Sequence, residues 1–269
     1  MKCPIYLDYA ATTPCDREVL EEMIPYFIHK FGNPNSQHFY GNEALVALSN
    51  ARETVAGALN SDFEEVIFTS GATESNRIIL ERCICGKRLI TLKTEHKSVI
   101  DICSNSKEGL LLDTEKNGKL NIELLEKILQ EGNIGLVSIC FINNETGVIQ
   151  DIKRITDICH EHDVLVHTDA TQAFGKIKID VRELGIDFLS ASGHKIYGPK
   201  GVGILYYNRK HHKKLRVRLA NHAVEFGIRA GTIAVPLCMG FSKAISILVP
   251  EIAKNTTHIT ELRTHLLDI

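Results

Sequence analysis

The sequence predicts an α/β fold with a mainly parallel sheet covered by helices on both faces. Three observations predict it. Apolar segments alternate with helical patterns from about residue 65 to residue 207. The apolar segments are continuous runs, which marks strands buried on both faces, as parallel strands are. Polar residues with chemical potential gather just after those runs, where open α/β sheets bind ligands.

The elements follow in order. After the short apolar segment IYLDYA and the polar TTP, a helical pattern covers residues 16–30, with Pro25 expected to interrupt or kink it. The loop FGNPNSQHFYG is dense in turn formers. A second helix spans residues 42–59, with Leu45, Leu48, Val55 and Leu59 at helical spacing. The strand EVIFTSG then runs straight into a helix beginning near Ala72. The alternation continues as strand RLITLK, helix 97–104, strand GLLLDT, helix 122–130, strand IGLVSICFI, helix 152–162 and strand VLVHTD. DFLSA and GVGILYY are two further strands, bounded by glycines.

Between those last two strands lies SASGHKIYGPKGVG, which holds Lys195 on a short polar turn, with His194 as a candidate proton carrier beside it. A lysine in a glycine-rich turn is often a solvated hairpin residue. A partly desolvated lysine next to another basic group has a lowered pKa and can attack a carbonyl carbon to form a Schiff base. The other strand ends favour the second reading. At SGATES, Ala72 and Thr73 open a helix whose first N–H groups suit a phosphate, although Thr73 and Ser75 would serve equally as local caps. TEHKS delivers His96, whose ring can stack on an aromatic ligand; NNETG delivers Asn144; DATQ delivers Asp169 and Gln172. A carboxylate at a strand end is commonly a helix cap, but one placed behind a nitrogen heterocycle keeps that nitrogen protonated. With Ser192 and His194 completing a phosphate cradle, the inventory matches the needs of pyridoxal 5′-phosphate. Nicotinamide and P-loop nucleotide sites fit worse, because neither GxGxxG after a strand nor GxxxxGK[ST] occurs.

Composition bounds the rest. With 44% hydrophobic residues the chain can bury a sizeable core. A net charge of −2 provides no field toward nucleic acid or anionic lipid, and KHHKKLRVR after the last strand reads as a solvated connection. Of the eight cysteines, Cys83 and Cys85 form an isolated CxC, short of the paired spacings of a zinc site, and buried reduced thiols are expected. No charged leader precedes an apolar stretch, and no apolar run reaches about 18 residues, so a soluble, cytoplasmic protein without membrane contact is expected.

YLDYAATTP, FGNPNSQH, VIFTSGATES, TEHKSV, NNETGVIQDI, HTDATQAFGKI, SGHKIYGPKGVG and GIRAGT, in that order over roughly residues 5–245, resemble the signature blocks of the NifS/IscS-type cysteine desulfurases, pyridoxal-phosphate enzymes of the class V aminotransferase group. The resemblance implies a seven-stranded-type large domain of PLP fold type I over residues 16–250. Residues 1–15 would belong to the small domain, and residues 251–269 would begin the helix leading toward the rest of it. Lys195 would join the cofactor covalently, with Asp169 at the pyridine nitrogen and Gln172 at the ring hydroxyl. His96 would stack on the ring and assist proton transfer, and Asn144 would approach cofactor and substrate. Ala72, Thr73, Ser192 and His194 would surround the phosphate, and Thr232 would reach the phosphate of the partner subunit of a homodimer. The implied reaction converts L-cysteine to L-alanine and passes sulfur to an iron–sulfur scaffold or tRNA-thiolation protein.

Two departures qualify it. The family's persulfide-forming cysteine and carboxylate-binding arginine lie far beyond the lysine, and this sequence ends 74 residues past Lys195, so both are expected to be absent from it. Where the family has a glycine-rich HGGG[QH]E hinge, this chain reads ANHAVEF; Asn221, His222 and Ala223 replace glycines and only Glu225 survives, so the backbone is expected to run differently there. The alternative reading is a catalytically degenerate, cofactor-binding paralogue that acts as a dimerisation or sulfur-assembly partner.

Overall fold

The computed structural model describes residues 4–83, 86–215 and 223–268. Its elements are α1 (Arg17–Ile28), α2 (Phe39–Leu59), β1 (Val66–Thr69), α3 (Ala72–Arg82), β2 (Arg88–Leu92), α4 (Lys97–Asn105), β3 (Gly109–Leu112), α5 (Ile122–Glu131), β4 (Ile134–Ser138), α6 (Ile152–Glu161), β5 (Leu165–Asp169), α7 (Val181–Leu184), β6 (Phe188–Ser192), β7 (Gly203–Tyr207), α8 (His212–Leu215), β8 (Ala223–Val224), β9 (Arg229–Ala230), α9 (Val235–Leu248) and α10 (Ile252–Leu267).

Seven strands form one sheet in the order β1-β7-β6-β5-β4-β2-β3. β7 runs antiparallel to both of its neighbours, and every other pairing is parallel. The C-terminal ends of β1, β2, β4, β5 and β6 therefore share one edge. Continuous apolar runs are what a two-sided core demands. Val66 and Phe68 on β1 face one hydrophobic cluster with residues of α2, α6 and α9, while Ile67 between them faces a second cluster with α3 and α4. Leu189 and Phe188 on β6 divide the same way. Each such side chain, fully buried, contributes roughly 1.5–3 kcal/mol relative to exposure.

Local chemistry sets the element ends. The Asp16 carboxylate accepts the Glu18 N–H at 2.8 Å and caps α1. Asn60, in a left-handed conformation, closes α2. α1 runs on through Pro25, contrary to the expected interruption: only one N–H is lost, while Val19, Met23 and Tyr26 hold the helix against the core. The pair Gly71 and Gly203 is a steric necessity, because a Cβ on Gly203 would lie 2.6 Å from the Gly71 Cα, and Gly71 itself has φ near +150°.

The stretch 210–215 is not simply a solvated connection. Asp187, with no exposed side-chain surface, accepts from His211 Nε2 at 2.8 Å and from His160 Nε2 at 2.8 Å, with Lys210 Nζ 3.3 Å away. A buried carboxylate recruits those basic groups. Arg216, Val217 and Arg218 of the same run, and Asn221 and His222 of the altered hinge, lie outside the described residues, as do Cys3 and Cys85. Beyond them, left-handed conformations occur at two non-glycine residues, Glu225 (φ 50°) and Phe226 (φ 54°). Glu225 is held there by a buried ion pair: both its oxygens engage the Arg52 guanidinium, at 2.8 and 2.5 Å, and Oε2 also accepts the Phe68 N–H. The guanidinium lies over the rings of Phe63, Phe68 and Phe226.

The stretch Val235–Leu267 is long and apolar enough to cross a membrane by length and composition alone. Within it, α9 packs Val235, Cys238, Phe241, Ala244 and Ile245 inward, whereas α10 has no buried residue.

Candidate active site

A cavity of about 920 Å³ opens at the shared strand edge. Its wall brings together Ala72, Thr73, His96, Asn144, Asp169, Gln172, Ser192, His194 and Lys195, nine of the ten residues singled out from the sequence. Thr232 is exposed on the loop after β9 and is not part of this wall.

β6 and the turn after it position Lys195. The Gly193 N–H bonds the Val202 carbonyl and the Ile196 and Gly198 N–H groups bond the Gly193 carbonyl, so the lysine stands on a closed turn at the mouth of the β6–β7 pair. Its ammonium donates to the carbonyls of Ala10 (2.5 Å) and Ala11 (2.7 Å) in the N-terminal segment. Burial lowers the Lys195 pKa, opposed by the charges of Asp169 and Asp8. The N-terminal segment is fastened over the site: Thr13 N–H bonds the His194 carbonyl at 2.9 Å, and His194 Nδ1 lies 3.0 Å from the Thr12 hydroxyl. Burial, with Lys195 and Lys200 nearby, lowers the His194 pKa.

Asp169 ends β5. Its Oδ2 accepts from Asn76 Nδ2 at 2.8 Å and its Oδ1 from the Thr171 N–H at 3.0 Å. Two residues earlier on the strand, His167 is wholly buried between Ser138 (Nδ1 to Oγ, 2.8 Å) and Ser190 (Nε2 to Oγ, 3.0 Å). Burial pushes its pKa down to about 4. Gln172 donates from Nε2 to the Ala10 carbonyl at 2.8 Å and accepts from Lys176 Nζ at 2.6 Å. His96 doubles as the N-cap of α4, its Nδ1 accepting the Ser98 N–H, and Asn144 donates to Glu145 Oε1 at 2.7 Å. The N-terminus of α3 opens on the cavity at Gly71 with no side-chain cap, beside Ser192.

Some residues of the wall escaped the sequence reading. The strap carbonyls of Ala10 and Ala11 lie inside the quoted block YLDYAATTP, which was the only signal for them. Glu95 and Thr171 likewise lie inside quoted blocks, TEHKSV and HTDATQAFGKI, Cys140 had no signal beyond its place near a strand end, and Asn76, which braces Asp169 from within α3 behind the wall, had none. Of the described cysteines, Cys140 is the one on the wall; burial and the adjacent Glu95 push its thiol pKa up. Cys83, Cys103, Cys159 and Cys238 are also buried, as expected, but Cys15 is exposed.

The donor set fits pyridoxal 5′-phosphate. A partly desolvated amine, a carboxylate braced by two N–H donors and an uncapped helix N-terminus face one cavity, and two buried polar atoms on its wall, Thr171 Oγ1 and Glu95 Oε2, have no partner among the described residues.

Comparison with known proteins agrees with that chemistry. The family model described as aminotransferase class-V matches residues 5–269, and the chain belongs to this family of pyridoxal-phosphate-dependent proteins. Within it, the chain stands among the cysteine desulfurases. It is 43% identical over 280 residues to the cysteine desulfurase IscS of Pseudoalteromonas translucida, covering 100% of this chain and 69% of that protein. Against the cysteine desulfurase IscS of Ehrlichia chaffeensis the identity is 45% over 271 residues, covering 97% and 66%. The chain thus spans about two thirds of the length of these relatives. Among solved structures, a NifS-like protein superposes with a TM-score of 0.92 at 37% identity, over 98% of this chain and 74% of that one. A structure described as SspA in complex with cysteine superposes with a TM-score of 0.84 at 38% identity, over 90% and 72%.

Proposed function

We propose that this chain holds pyridoxal 5′-phosphate on Lys195 and acts on L-cysteine, releasing L-alanine and passing the sulfur to an acceptor for iron–sulfur cluster assembly or tRNA thiolation. The observation that carries the reading is Lys195 facing Asp169 across one cavity that also receives the open N-terminus of α3. When bound, the cofactor supplies an electron-withdrawing ring that stabilises negative charge at the substrate carbon.

The chain's own groups do the rest. Ala72, Thr73, Ser192 and His194 bind the phosphate at the helix N-terminus. Asp169, braced by Asn76 and Thr171, holds the proton on the pyridine nitrogen. Gln172, oriented by Lys176, would serve the ring hydroxyl, His96 would pack on the ring and Asn144 would approach the substrate. Lys195, its pKa lowered by burial, would hold the cofactor through its amine and, when that amine is free, would move a proton at the substrate carbon. Cys140 faces the cavity as a neutral thiol and is a poor nucleophile, so we assign sulfur acceptance to a thiol other than this chain's own. The exposed apolar residues Leu20, Ile24, Phe27, Phe39 and Val46 on α1 and α2 support a homodimer, in which Thr232 would serve the partner's phosphate.

Adding L-cysteine to the loaded chain tests the reading. The visible absorption should change with the wild type and stay flat with Lys195→Ala; a flat response in both refutes it. Sulfide release under reducing conditions should be small, and rapid release would show that one of the chain's own cysteines is the acceptor.

A further inference from the structure

Glu95 sits between Thr94 and His96 at the end of β2, and the reaction outlined above gives it no task. The residue is 6% exposed and lies on the cavity wall. Its Oε1 accepts the Cys140 N–H at 2.8 Å, 45 residues away at the end of β4. Its Oε2 is buried and meets no donor among the described residues. An ionised carboxylate in that position would forfeit hydration at one oxygen without replacement. A carboxylic acid would instead carry its proton on Oε2 and could donate it to a ligand.

Asp169, on the same wall, is the contrast, since each of its oxygens has an N–H donor. Two carboxyl groups on one pocket floor resist double ionisation, and the donors decide which of them carries the charge. The other titratable groups of the wall are His96 and Lys97 beside Glu95 in the chain, Cys140, whose N–H it accepts, and Asp8, Glu145, His194 and Lys195. Burial, more than the charge of Asp169, pushes the Glu95 carboxyl up to about 8, against the opposing bond from Cys140.

We propose that Glu95 is a positioning residue kept as a neutral carboxylic acid, which ties the His96-bearing turn to the end of β4 and donates from Oε2 to the bound cofactor. Of the two buried carboxyl groups on the wall, only Asp169 is then left as a carboxylate, to match one protonated ring nitrogen. The inference rests on reading the cavity as a pyridoxal 5′-phosphate site.

The test measures the dissociation constant of pyridoxal 5′-phosphate by equilibrium dialysis, and the circular dichroism induced in the bound cofactor, for the wild type, Glu95→Gln and Glu95→Ala at pH 7. Glutamine keeps the shape, one acceptor and a donor without charge. It should bind within about threefold of the wild type with the same induced signal, whereas alanine should bind at least about tenfold more weakly with an altered signal. A glutamine variant as impaired as the alanine one overturns the neutral acid, and an alanine variant equal to the wild type overturns the positioning role. Should Glu95→Ala fail to fold, the infrared difference between wild type and Glu95→Gln decides: a carboxylic-acid C=O band at pH 7 is expected from the wild type, and its absence contradicts the proposal. A wild type that binds no pyridoxal 5′-phosphate would instead sink the reading of the cavity itself.

Discussion

His167 provides a pH probe buried directly beneath the site. Neutral in the fold, it is clamped between Ser138 and Ser190, and burial depresses its pKa from 6.5 to about 4, against the opposing pull of Asp169. Below pH 6.5 the unfolded chain binds a proton at this residue that the fold refuses, so stability is lost as pH falls from 6.5 toward 4. Integrated over that window, the loss between pH 7 and pH 5 comes to about 2 kcal/mol, rising to about 3 kcal/mol by pH 4. The wild-type curve alone does not show it, because Glu95 titrates with the opposite sign. Its carboxyl, raised from 4.5 to about 8, binds a proton in the fold that the unfolded chain has released, which adds stability on acidification from pH 8 toward 4.5. The difference between wild type and His167→Gln isolates the histidine, since glutamine can still bond both serines and does not titrate. Urea unfolding followed by far-ultraviolet circular dichroism at pH 7 and pH 5 should show the variant gaining about 2 kcal/mol on the wild type at the lower pH. An equal gap at the two pH values would refute the reasoning.

Other expectations concern the frame and the chemistry. Glu225→Gln leaves the Arg52 charge buried among three aromatic rings without its counter-ion, and should lower unfolding stability by about 3 kcal/mol or more, while Arg52→Met with Glu225→Leu should recover most of that loss. A loss below about 0.5 kcal/mol in the single variant would show that the pair is not what secures the turn. Asp169→Asn should retain bound pyridoxal 5′-phosphate but slow exchange of the substrate α-proton by roughly a hundredfold or more, read by proton NMR in deuterated buffer. Exchange at the wild-type rate would remove Asp169 from its assigned place.

The sheet was legible because parallel strands buried on both faces leave continuous apolar runs, and the site was legible because such sheets collect chemistry at their carboxyl edge. SGHKIYGPKG and DATQ pointed to Lys195 and Asp169 only together with the other strand ends and the family resemblance, since each alone read equally as a solvated turn or a helix cap; both line the one cavity. What stayed hidden depends on contacts between distant residues. The pairing of Glu95 with Cys140, of Asn76 with Asp169 and of Arg52 with Glu225 joins positions 45, 93 and 173 residues apart, and no periodicity records such a match. Pro25 misled in the other direction, since tertiary packing of its neighbours carries the helix through one missing hydrogen bond. β4 stops at Ser138, short of the expected Ile142, although the N–H groups of Ile139 and Phe141 still bond the carbonyls of His167 and Asp169, because the chain then turns out to Asn143 and the cavity mouth. His211 looked solvated until the buried Asp187 explained it, whereas Lys210 stays exposed beside that carboxylate.

Borohydride reduction of the protein loaded with pyridoxal 5′-phosphate, followed by peptide mass mapping, tests the central claim most directly. The reduced cofactor is expected as a fixed added mass on the peptide carrying Lys195. Lys176, which donates to Gln172 in the same network, is the informative competitor. Label on Lys176, or on no lysine at all, would contradict the account.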